Sequence, residues 1–217
     1  MIDAVERSNK TRNGFVKNFA ADLRFYAQLQ SGNTTPSLFT QLRIFFGSSG
    51  FWVLQNHRII YFSTMQRNLR SFKWWLTRMG EIPAHMFNTA CGKCGLLGDC
   101  DIGAGVYLPD AGYLTCGALA IGTGSVVHDH ITFGFAVANG KRGRPRIGKN
   151  VWIGPNSIIA GALEVGDGST LLPGTYLTFS VPPGSVVRGN PARIIRENFD
   201  NSEFRRTLKI VEALPPA

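Results

Sequence analysis

Four histidines are the first residues to weigh, because an ordinary pKa near neutrality makes histidine the commonest proton acceptor in catalysis. His57 and His85 stand apart, whereas His128 and His130 flank Asp129 in the run Val126-Val-His-Asp-His-Ile-Thr-Phe-Gly134. Such a run supplies a general base, or else a merely solvated surface group or an oligomer contact. A second cluster, Lys141, Arg142, Arg144, Arg146 and Lys149, suits phosphate groups, which lysine meets as a point charge and arginine as a fork. Its bland alternative is a solvated basic loop. Cys91-Gly-Lys-Cys94 is a CxxC pair, with Cys100 and Cys116 beyond it. Zinc ribbons need a second such pair, and a redox CxxC needs a thioredoxin-like context. Neither is present, so packing is the better reading of the cysteines and no metal site is expected.

The chain that positions these groups has 217 residues, 44% hydrophobic and 17% charged, which excludes a disordered polymer. The net charge is +9, unevenly placed: residues 24–80 hold seven Lys or Arg and no Asp or Glu. That excess favours an anionic partner. No helix-turn-helix, zinc-finger or RNA-stacking motif accompanies it, so nucleic acid is not expected. No apolar run is long enough to span a bilayer, and the first residues do not read as a signal peptide. The expected compartment is the cytoplasm, with reduced thiols.

Most of the 25 glycines lie between Gly92 and Gly189, and a six-residue ruler explains their crowding. From Ile147 the first positions read Ile147, Ile153, Ile159, Val165, Leu171 and Leu177, all aliphatic. The second positions, starting Gly148 and Gly154, are mostly small, and the fifth positions are small or β-branched in all but one case, Leu163. The ruler also fits Ile121, Val127 and Phe133, and Leu96, Ile102 and Leu108. A helix repeats at 3.6 and a strand at 2, so a strict six belongs to a hexapeptide β-helix. In this reading the first position points inward and the glycine beside it relaxes the corner. Cys94 and Cys100 take the small fifth position. Between Phe133 and Ile147 the ruler breaks, and Ala138–Arg146 reads as one extruded, basic loop. Before the coil, residues 15–30 and 36–79 read as helices broken at Gly32 and Gly47–Gly50. The aromatic, cationic stretch Ser71–Arg78 suits either an oligomer contact or a membrane interface.

The expected fold class is therefore α+β. An N-terminal helical, oligomerising domain occupies 1–88, a parallel β-helix 89–195, and a tail 196–217.

At Val181-Pro-Pro-Gly-Ser-Val-Val-Arg-Gly-Asn-Pro-Ala-Arg-Ile-Ile195 the chain resembles the serine acetyltransferase branch of the hexapeptide acyltransferases. Leu42–Phe62 is similar to that branch's helical segment, and Val126–Gly134 to its strand before the cofactor loop. The resemblance implies a left-handed coil and a homotrimer or dimer of trimers. It further implies acetyl-CoA as donor and a hydroxyl or amine acceptor. Several acceptor residues of that branch are replaced. Its histidine base falls at Asp110, the acid orienting that base at Gly95, the acid for the serine amine at Pro109. The pair holding the serine carboxylate falls near Gly143-Arg144. A saccharide hydroxyl is then the expected acceptor, with serine as the alternative and a non-catalytic scaffold as a third reading.

By the ruler Asp110 stacks under Asp129. The expected dyad is accordingly His130, or His128, as base and Asp110 as its orienting carboxylate. Outward-facing positions favour His130. The same resemblance puts the cofactor against Gly134, Lys141, Arg142, Arg144 and Gly161, with Arg188 and Arg193 at its nucleotide end. Peripheral membrane contact through residues 24–80, at the inner face of the membrane, completes the expectations.

Overall fold

A computed structural model describes residues 18–65, 95–96, 99–110, 112–138 and 140–206. Helix α1 covers residues 18–31, α2 is Leu38–Gly47 and α3 is Ser49–Met65. Ser37 starts α2 by accepting a hydrogen bond from the Thr40 N–H at 3.2 Å, which satisfies one orphan donor of the first turn. The break expected over Gly47–Gly50 narrows to Ser48, whose extended backbone donates to Ile44 O at 2.9 Å. Gly50 is needed beside it, since an added Cβ would collide with the carbonyl oxygens of Leu108 and Pro109. Ser71–Arg78, His85, Cys91, Cys94 and the expected 88/89 boundary lie outside the described residues. Among the described residues no helix is long and apolar enough to cross a membrane.

The strands then wind round three faces. One face stacks β1 (Gly95–Leu96), β3 (Leu114–Cys116), β6 (Ile131–Gly134), β11 (Ile158–Ala160) and β14 (Tyr176–Leu177). The next in chain order stacks β2 (Asp101–Ile102), β4 (Ala120–Ile121), β9 (Arg146–Ile147) and β12 (Glu164–Val165). The last stacks β5 (Val126–Val127), β10 (Trp152–Ile153), β13 (Thr170–Leu171) and β15 (Val186–Arg188) in parallel, and β16 (Arg193–Arg196) closes it antiparallel. Ile147 pairs with Val165, Ile153 with Leu171 and Ile159 with Leu177, so one turn is three hexapeptides. Each of these first-position residues is buried in one continuous core. Burial of such a side chain is worth roughly 1.5–3 kcal/mol, so the repeat itself drives the stacking.

Two details of the repeat depart from the expectation. Second-position glycines are required by the neighbouring coil rather than by their own dihedrals: a Cβ on Gly154 would lie 2.7 Å from Pro173 N. The left-handed corner is instead the fourth position, three residues after the inward aliphatic. There stand Gly124, Asn150, Asn156, Gly168 and Gly174, all at positive φ. Glycine and asparagine are the residues that tolerate this region.

Where the period breaks, β7 (Ala136–Ala138) and β8 (Lys141–Gly143) form an antiparallel hairpin between the first and second faces, and Arg146, expected in the loop, lies in β9. Cys100 and Cys116 are buried thiols with sulfurs 3.9 Å apart, and burial together with the neighbouring sulfur pushes the Cys100 thiol up.

The helices are held to the coil by a buried ion pair with every polar contact used. Arg58 bonds both Asp22 oxygens, Nε at 2.9 Å and Nη2 at 3.0 Å, and donates to the carbonyls of Ile102 and Gly103. Asp22 also accepts from Gln55 at 3.0 Å and from the Gly105 N–H at 2.8 Å. Burying charge is costly unless the ions are paired and hydrogen-bonded throughout, as they are here. Tyr26 adds a second tie: its hydroxyl donates to Leu108 O and accepts from Leu108 N.

Candidate functional site

His130 lies on the corner between β5 and β6, at the fourth position after Val127. Its φ is +56°, so a histidine occupies the conformation that glycine or asparagine takes at the equivalent corners. Backbone strain of this kind gathers at functional positions, where surrounding structure holds it. The side chain is exposed, as the sequence suggested, but it projects from a turn and not from a strand. Nδ1 of His130 lies 2.8 Å from Oδ2 of Asp129. An ionised carboxylate only accepts, so Nδ1 carries the proton and Nε2 is left as a lone-pair acceptor facing solvent. The pair is 55% and 36% exposed, too wet to matter for stability, and its effect is orientation.

Asp129 is seated by Gly112 on the coil below. A Cβ at Gly112 would come 2.5 Å from the Asp129 Cβ, and its φ of +85° also suits glycine.

The other members of the expected dyad are elsewhere. His128 is buried against the Trp152 ring, centroids 4.9 Å apart, and its Nε2 meets no partner. Burial pushes its pKa down from the ordinary 6.5. Asp110 does not orient a histidine. Its Oδ1 accepts from Ser48 Oγ at 2.6 Å and from Gly50 N at 2.9 Å, and its Oδ2 from Gln30 at 3.3 Å. The ruler stacks Asp110 under Asp129, whereas Gly112 is the residue packed against Asp129 and the α2–α3 junction holds the Asp110 carboxylate. His57 is also structural: it is buried in α3 with Nε2 2.9 Å from Cys100 O.

The expected cofactor residues divide. Lys141 and Arg142 are exposed on β8, with Arg142 lying 4.9 Å over the Phe135 ring. Arg144 is committed to Asp99 at 2.9 Å, and it holds that carboxyl below its ordinary value. Gly134 stays half-buried at the root of the hairpin. Gly161 is buried, and Ala138 of β7 packs against it: a Cβ there would lie 2.5 Å from the Ala138 Cβ. The hairpin folds back onto the coil at that point. Arg188 and Arg193 are exposed and directly opposed across β15 and β16, with no acidic partner among the described residues. Like charges opposed on a ladder disfavour each other, and here both side chains reach into solvent.

Sequence reasoning missed Asp129 as the orienting group and Gly112 as its seat.

Residues 144–178 match the family described as bacterial transferase hexapeptide (six repeats). The chain is a hexapeptide-repeat protein of serine acetyltransferase-like fold. Among solved structures, the Neisseria gonorrhoeae serine acetyltransferase matches 96% of this chain and 74% of its own, with a TM-score of 0.71 and 18% identity. The Vibrio cholerae serine acetyltransferase matches 96% and 76%, with a TM-score of 0.65 and 22% identity. Curated relatives match over shorter stretches of the hexapeptide-repeat chain. A chloramphenicol acetyltransferase of Agrobacterium fabrum is 39% identical over 64 residues, 30% of this chain and 31% of that one. The galactoside O-acetyltransferase of Escherichia coli is 40% identical over 57 residues, 26% of this chain and 28% of that one. The chain thus spans about a third of the length of the curated relatives it matches.

Proposed function

We propose that this chain is an acetyl-CoA-dependent O-acetyltransferase that modifies a saccharide hydroxyl, with His130 as general base. The observation that carries the reading is the exposed His130–Asp129 pair on a left-handed corner of the coil. Asp129 holds the Nδ1–H tautomer, so Nε2 takes the acceptor's proton as its oxygen attacks. The bond formed is carbon to oxygen, the bond broken is carbon to sulfur, and His130 returns the proton to the departing sulfur. Bound acetyl-CoA would supply the acetyl group as a thioester. The residues present fit it: Arg188 and Arg193, without an acidic partner among the described residues, make a cationic pair for its phosphates, with Lys141 and Arg142 as a second exposed pair.

The coil is read as left-handed and the assembly as a homotrimer or dimer of trimers, with sites between neighbouring coils. The compartment is read as cytoplasmic, in keeping with two free thiols. Relatives named as acetyltransferases of chloramphenicol and of a galactoside support transfer to a hydroxyl, and the second supports a saccharide. The breadth of the likeness to serine acetyltransferases favours serine as the second reading.

Release of coenzyme A from acetyl-CoA, measured with a panel of saccharides and with serine, separates the readings. Turnover on a saccharide that far exceeds turnover on serine is the expected result. The reverse selects the serine enzyme, and coenzyme A binding without turnover on any acceptor selects a scaffold.

A further inference from the structure

Helix α2 is amphipathic in the wrong direction for a helix that meets only water. At 100° per residue, Leu38, Leu42, Phe46 and Phe39 fall within one contiguous arc. They are 72%, 47%, 79% and 77% exposed. Ile44, on the opposite side, is buried, and Phe45, at the arc's edge beside Leu38, is half-buried against the rest of the protein. The large apolar side chains therefore face outward as a patch, which in a soluble chain marks a docking surface. Arg43, exposed, borders the arc.

Charge selects the occupant. Residues 24–80 contain no Asp or Glu at all. The neighbouring Asp22 and Asp110 are both consumed in internal bonds. A second copy docked face to face would bring Arg43 toward the same acid-free segment, with no carboxylate to meet it. An anionic lipid surface offers what the patch lacks: hydrocarbon for the Leu and Phe side chains and phosphate for the cations.

We infer that α2 lies in the interface of an anionic bilayer, with Leu38, Phe39, Leu42 and Phe46 inserted and Arg43 at the headgroups. The inference stands whether or not His130 is the base. Its consequence for the site is spatial. Ser48, two residues beyond Phe46, bonds Asp110, and two residues further along the coil Gly112 seats Asp129. Docking through α2 thus holds the His130 corner close to the lipid surface, where a membrane-tethered acceptor would lie.

Co-sedimentation of the full chain with phosphatidylglycerol vesicles and with phosphatidylcholine vesicles, at low and high salt, tests this. Binding to the anionic vesicles at low salt, weakened by salt, is the expected result. The Phe39→Ser/Phe46→Ser variant should bind about tenfold or more weakly, from the apolar area removed. Its thermal unfolding and its turnover on a soluble acceptor should be unchanged, because both side chains are exposed and neither takes part in the proposed chemistry. Absence of anionic-vesicle binding at low salt overturns the inference. So does a variant that binds as the wild type does. So does sedimentation velocity in which the variant halves the particle mass while lipid binding is absent, because the face then belongs to a second copy.

Discussion

Asp110 accepts a 2.6 Å hydrogen bond from Ser48, the residue between α2 and α3, and so joins the coil to the helices at the point where a catalytic carboxylate was expected. Its other acceptor contacts, with Gly50 N and Gln30, run the same way. Hydrogen bonds to a charged group contribute about 1.5–3 kcal/mol each when neither partner is left orphaned. Asp110→Asn should therefore lower unfolding stability by about 1.5–3 kcal/mol in urea titrations, with turnover of the folded enzyme retained. Lost turnover at unchanged stability would return Asp110 to the chemistry.

His130→Asn is the informative substitution at the corner. Asparagine already occupies the same left-handed position at 150 and 156, so the backbone accepts it. Loss of a general base costs about 10²–10⁴ in turnover, and that loss should appear with the melting temperature unmoved. His130→Ala should add a stability defect, because alanine resists positive φ. Equal activity of wild type and His130→Asn would remove the base from this site.

Among the arginines the structure separates two groups. Arg188→Ala and Arg193→Ala should each raise the KM for acetyl-CoA about tenfold, the loss of one charge-assisted hydrogen bond, with little change in kcat. Arg142→Glu should act in the same direction. Arg144→Ala should leave that KM unchanged, since its guanidinium is held by Asp99. Steady-state kinetics with varied acetyl-CoA distinguish these outcomes.

Burial lowers the pKa of both His57 and His128 from the ordinary 6.5. In the unfolded chain they take up protons near about 6.5, and in the folded chain only below it. In that window the unfolded state binds more protons, so stability is complete above about 6.5 and declines as pH falls toward the lowered folded values. Chemical denaturation midpoints followed from neutral into mildly acid pH should show this decline. His57→Gln, which keeps a donor for Cys100 O, and His128→Leu should together flatten it. A wild-type midpoint that stays level over that range would contradict the assignment.

Much of the scaffold was legible in advance, because a six-residue period in aliphatic side chains has one physical solution. A corner every six residues turns Ile147, Ile153 and Ile159 inward from three successive faces, and the observed register repeats that count. The hairpin was legible as the break in the period, and the break between α2 and α3 as a run of small residues. The site was legible in part. His130 was favoured over His128, and its expected partner Asp110 is bonded to Ser48 while the adjacent Asp129 meets the His130 ring. Arg144 and Gly161 were expected at the cofactor, and the structure sets them against Asp99 and Ala138. Asp99 and Ala138, which meet them, belong to segments that no spacing rule joins to theirs.

By itself, then, the sequence determined the repeat, the count of residues per turn, the place of the insertion and the acid-free helical half. These follow from periodicity and composition, which are local properties of the chain. Only the tertiary structure decided which carboxylate serves which partner. Asp22 goes to Arg58, Asp110 to Ser48, Asp99 to Arg144 and Asp129 to His130. A carboxylate bonds the donor that packing brings within 3 Å, and that distance is set by how helices and coils meet, not by their separation along the chain.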